Sequence, residues 1–158
     1  MLRTTKSAWR PRKLLCLAVC ALFLAAAVIA FHTRSSESLL SGKGVTEVSF
    51  QYVNALIGES GISETLPCIE ASEPAMGAVK NFLRDLNIRW HGFHGDVYDI
   101  DVPGYHLYFY DENSMSQVDM YISSTGYLYC RHTAYRITAP SPEKFWTQLG
   151  SLYKLADD

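Results

Sequence analysis

Residues 120–130 read MYISSTGYLYC, and the reading of this stretch decides the fold. Two runs of aromatic and β-branched residues flank Ser124-Thr125-Gly126. A three-residue hairpin loop favours glycine at its last, left-handed position, and Gly126 stands there. Each strand must keep its apolar set on one face. Matching Ile122 to Leu128 and Met120 to Cys130 satisfies both conditions, and it sets Tyr121 opposite Tyr129 and Asp119 opposite Arg131.

Further strands follow outward from this hairpin. Upstream, residues 105–111 alternate, and pairing Leu107 with Ile122 and Phe109 with Met120 leaves residues 113–116 as a loop. Downstream, residues 134–138 form a strand through a turn at His132-Thr133, which places Leu128 by Ile137 and Tyr129 by Arg136. Residues 45–53 alternate too, with Val48, Phe50 and Tyr52 on one side and Ser49 and Gln51 on the other. The predicted sheet is an antiparallel meander of about four to five strands.

Two amphipathic helices complete the domain. One opens at Ser72-Glu73-Pro74 and carries Met76, Val79, Phe82, Leu83 and Leu86, ending near Asn87. The other opens at Ser141-Pro142-Glu143 and carries Phe145, Trp146, Leu149, Leu152 and Tyr153. Both are expected on the Leu107/Met120/Ile122/Leu128 face. The fold class is α+β, with a single domain over residues 45–158.

The other end of the chain is of a different kind. Residues 14–31, LLCLAVCALFLAAAVIAF, contain no charge, proline or glycine. As a helix they measure about 27 Å, near the ~30 Å hydrocarbon core of a bilayer. Residues 1–13 carry Arg3, Lys6, Arg10, Arg12 and Lys13 and no acid. Beyond Phe31 stand nine Lys/Arg against sixteen Asp/Glu, a balance of −7. A basic flank stays cytoplasmic. The expectation is a basic tail (1–13), a transmembrane signal-anchor (14–31) and a stalk (32–44). The outward domain follows, with the lipid bilayer as partner of residues 14–31. Val28 and Ala30 suit a signal-peptidase site, so secretion after cleavage following Ala30 is the alternative. An acidic outer domain disfavours nucleic acid.

Three groups of residues bear on chemistry. Eight of the ten tyrosines fall between Tyr98 and Tyr135. In the register above Tyr108, Tyr110, Tyr121, Tyr129, Arg131 and Arg136 share the face away from the helices, a composition suited to recognition. His91, His94 and Asp96 concentrate imidazole and carboxylate between glycines, the ligand types of a divalent metal; no other cofactor is predicted. Cys68 and Cys130 are candidates for a disulfide in an oxidising compartment, worth ~4 kcal/mol across so long a loop. Two buried thiols are the alternative. Cys130 and His132 are two apart, but Cys130 faces inward, so no nucleophile pair is expected.

The basic start, residues 14–31, the 120–129 hairpin, residues 134–137 and the closing helix together resemble small single-pass, membrane-tethered extracytoplasmic proteins of Gram-positive bacteria. No active site transfers with that resemblance. The expected function is non-catalytic, a binding or regulatory module with a protein or cell-envelope partner. The alternatives are a metal or small-ligand sensor using His91, His94 and Asp96, and an enzyme whose site has no identifiable residues.

Overall fold

Seven strands pair into one antiparallel sheet, and alternating apolar residues turn one of its faces into the core. The computed structural model describes residues 11–54, 56–57, 61–62, 73–93, 102–113 and 115–157. The chain divides into two compact units, one reaching to His32 and one running from Thr33 to Asp158.

The first unit contains α1 (Pro11–Phe31), a helix of 21 residues. The expected membrane-spanning helix is corrected here: no helix, over its described residues, is long and apolar enough to cross a membrane.

The second unit begins with β1 (Arg34–Ser35) and a 3-10 turn, Ser36–Leu40. It continues with β2 (Glu47–Val53), β3 (Leu56–Ile57), β4 (Gly61–Ile62), α2 (Glu73–Asp85) and β5 (Asn87–Phe93). Then come β6 (Gly104–Tyr110), β7 (Ser116–Ser123), β8 (Tyr127–Cys130), β9 (Thr133–Ala139) and α3 (Pro142–Asp157). The main sheet has the order β1-β5-β9-β8-β7-β6-β2, and β3 pairs with β4 separately. The expected four to five strands are therefore too few. The strand order of the meander β6 to β9 is the one expected, but β2 closes one side and β5 with β1 the other.

β5 escaped the sequence reading for a physical reason. Only Ile88 and Trp90 alternate before the register jumps from Trp90↔Tyr135 to Gly92↔Ala134, leaving His91 unpaired in a bulge. Asn87 opens this strand and does not end the helix, whose last residue is Asp85. β1 belongs to the stretch expected as a stalk. Ser36 donates its amide to the Leu86 carbonyl at 2.8 Å, and its hydroxyl reaches the Leu83 carbonyl at 2.7 Å. Those bonds occupy carbonyls at the end of α2 that the helix leaves open. Leu40 then enters the core.

The β7–β8 register is Met120↔Cys130, Tyr121↔Tyr129 and Ile122↔Leu128, as the hairpin reading required, with Gly126 at φ 94°. The neighbouring pairings differ from expectation by two residues. Leu107 faces Met120 and Phe109 faces Val118. The Asp111 carboxylate accepts from the amides of Asn113 and Met115 and from Gln117 Nε2, and so draws the turn toward β6. Leu128 faces Tyr135, and Tyr127 faces Arg136, because the β8–β9 turn is Arg131-His132 with Arg131 at φ 56°. A two-residue slip preserves the faces. Leu107, Phe109, Met120, Ile122 and Leu128 all lie in the core with Phe82 and Leu83 of α2 and Phe145 and Leu149 of α3. Both helices thus cover the inner face.

Candidate functional site

The outer face carries the polar and aromatic alternate positions, and cross-strand contacts hold them in two groups. The first spans β2, β6 and β7. Gln51 lies opposite His106, and Tyr108 lies opposite Asp119. The Tyr108 hydroxyl donates to Gln51 Oε1 at 3.0 Å and sits 2.9 Å from His106 Nδ1. His106 Nε2 pairs with the Asp119 carboxylate. A phenol has one proton to give. The role of His106 Nδ1 as donor or acceptor follows the imidazole tautomer. Burial, with the Asp119 charge and then Tyr110 adding to it, pushes the Tyr108 phenol up to about 12. The phenol stays protonated near neutral pH and acts as a hydrogen-bond donor, not as a base.

The second group spans β5, β9 and β8. Arg89 lies directly opposite Arg136, and both are exposed. The Arg136 guanidinium lies 4.8 Å from the centre of the Tyr127 ring. The His91 ring, turned by its bulge, sits 5.1 Å from the same ring, edge-on. Tyr129 follows at 6.2 Å from Tyr127, and Tyr121 at 6.0 Å from Tyr129.

The structure sorts the residues singled out from sequence. Tyr108, Tyr110, Tyr129 and Arg136 share the outer face and are at least partly exposed. Tyr121 is on the same face but only 3 % exposed, which corrects its reading as an open contact residue. A Cβ on Gly104 would lie 2.1 Å from the Tyr121 ring, so the ring occupies the space that Gly104 leaves. Ser49 and Gln51 are likewise buried, so β2 is covered on both faces through its middle. Arg131 stands on the β8–β9 turn rather than in a strand.

Of the metal candidates, His91 is exposed beside Tyr127, whereas His94 and Asp96 lie outside the described residues. No group of three or more metal-ligating side chains occurs among the described residues. Cys130 is a buried free thiol on the inner face, and burial raises its pKa; Cys68 lies outside the described residues. Sequence reasoning missed Arg89 and the link from His91 to Tyr127. Both depend on β5, and the alternation of Ile88 and Trp90 was the available signal.

No protein-family model matches the chain, and neither a curated protein nor a solved structure matches it.

Proposed function

We propose that residues 33–158 form a non-catalytic binding module that recognises its partner on the outer face of the sheet. The observation that carries this reading is the division of faces. Both helices and the apolar core occupy one side, and the other holds tyrosine, arginine and histidine fixed by cross-strand contacts. Tyrosine and arginine contribute large, rigid contact area and directed donors at little entropic cost. The reading as an enzyme has less to stand on. The Tyr108 phenol is held protonated, and the Cys130 thiol is buried in the core with its pKa raised, so neither is an activated nucleophile.

Photo-crosslinking tests the proposal. Benzoyl-phenylalanine is placed at position 129 on β8 or, as a control, at exposed position 144 on α3, in the full chain within cells of its source. A discrete adduct from position 129 and none from 144 is the expected result. Adducts from 144 alone, or from neither position, overturn it.

A further inference from the structure

Two arginines that face each other across a sheet repel, and natural sheets avoid this arrangement because like charges directly opposite are destabilising. Arg89 and Arg136 nevertheless hold that relationship, and Arg89 has no salt bridge among the described residues. The acids described on the same face are distant along the sheet order. Asp119 is on β7, three strands from β5, and is engaged by His106; Glu47 is on β2, five strands away.

Among the described residues, a ring contact orients the Arg136 guanidinium and no ion pair neutralises either arginine. The Tyr127 ring holds Arg136 at 4.8 Å. The bulge between Trp90 and Gly92 turns a third nitrogenous group, His91, toward that ring. Bulges commonly re-aim a side chain in this way.

Resting on the binding reading above, we infer that Arg89, Arg136 and His91, with Tyr127 as the positioning residue, form a site for a dianionic phosphate monoester. The charge count selects the ligand class. A single carboxylate is satisfied by one guanidinium through a bidentate pair. A phosphate monoester carries nearly two charges at neutral pH and three acceptor oxygens, enough to bridge both arginines and take a further donor. A phosphate diester, with one charge, leaves one guanidinium unmatched. The site is open to solvent, so its affinity falls as salt rises.

The test uses the full chain, titrated with phenyl phosphate and, separately, with diphenyl phosphate by isothermal calorimetry. Phenyl phosphate is expected to bind at least tenfold more tightly than the diester. Arg89→Gln should weaken phenyl phosphate at least tenfold while raising the melting temperature of the ligand-free protein by about 1–2 °C, because it removes the repulsion. Lys144→Gln, an equal loss of charge on exposed α3, should leave the phenyl phosphate affinity unchanged. A purely structural role for Arg89 predicts the opposite, lower stability and no change in affinity.

No binding of phenyl phosphate at millimolar concentration, equal binding of the diester, or full affinity in Arg89→Gln overturns the inference. If position 129 still yields a discrete crosslink in that case, the phosphate reading falls alone. If it does not, the binding module falls with it.

Discussion

The ring of Tyr121 fills the space above Gly104 on the neighbouring strand, where even a single methyl would lie 2.1 Å from it. The contact lets the ring lie against the strand, where His106 at 5.7 Å and Tyr129 at 6.0 Å flank it, and the tyrosine is 3 % exposed. An aromatic side chain laid over a cross-strand glycine shields backbone that the glycine leaves bare. Tyr121→Ala is therefore expected to cost about 3–5 kcal/mol, the range for emptying a buried aromatic site. Ile122→Ala on the inner face should cost a similar ~2–5 kcal/mol. Gly104→Ala should also destabilise, by forcing the ring out. The double variant Gly104→Ala/Tyr121→Ala should then lose less than the sum of the two, since they share one contact. Urea denaturation of the four proteins measures this.

The hydrogen-bonded chain on β2, β6 and β7 predicts a dependence on alkaline pH. The Tyr108 phenol is raised to about 12, and that of Tyr105 is raised by burial and by its neighbours Tyr52 and Tyr153. An unfolded tyrosine titrates near 10. Between these values the folded protein holds protons that the unfolded chain has released. Stability is then fully present below about pH 10 and falls as pH rises toward 12. Tyr108→Phe should make that fall shallower and leave the Tyr105 contribution. Melting temperature followed from pH 8 to the alkaline limit reads it out.

The two hairpin turns predict effects of opposite sign. Gly126 stands at φ 94° and Arg131 at φ 56°, both in the left-handed region. A side chain is strained there, by about 1–2 kcal/mol. Gly126→Ala should destabilise by about that amount, whereas Arg131→Gly should stabilise, by ~1 kcal/mol or less after the added freedom of the unfolded chain. Thermal melts of the two variants decide it.

Much of this architecture was legible in the chain because period-two alternation and glycine punctuation are local signals. The Gly126 loop and the Met120/Ile122 pattern determined the β7–β8 register to the residue. The next two registers each slipped by two, because Asp111 and Arg131 set their turns through a side-chain hydrogen bond and a left-handed arginine, neither announced by a glycine. β5 stayed hidden because the bulge at His91 ended its alternation after Ile88 and Trp90. The site inherited these limits. Tyr108, Tyr129 and Arg136 could be placed on one face by parity alone. Arg89 could not, since its strand was unread, and the burial of Tyr121 depends on Gly104, distant in sequence and set beside it by β6–β7 pairing.

The central claim is that ligand is recognised on the sheet face away from the helices. Amide chemical shifts of the full chain, recorded by NMR with and without saturating phenyl phosphate, test it most directly. The account predicts changes clustered at Arg89 and His91 on β5, Tyr127 on β8 and Arg136 on β9, with α2 and α3 unmoved. Changes confined to the helices, or to the hollow lined by Glu37, Lys43 and Lys80 beside the 3-10 turn, would contradict it.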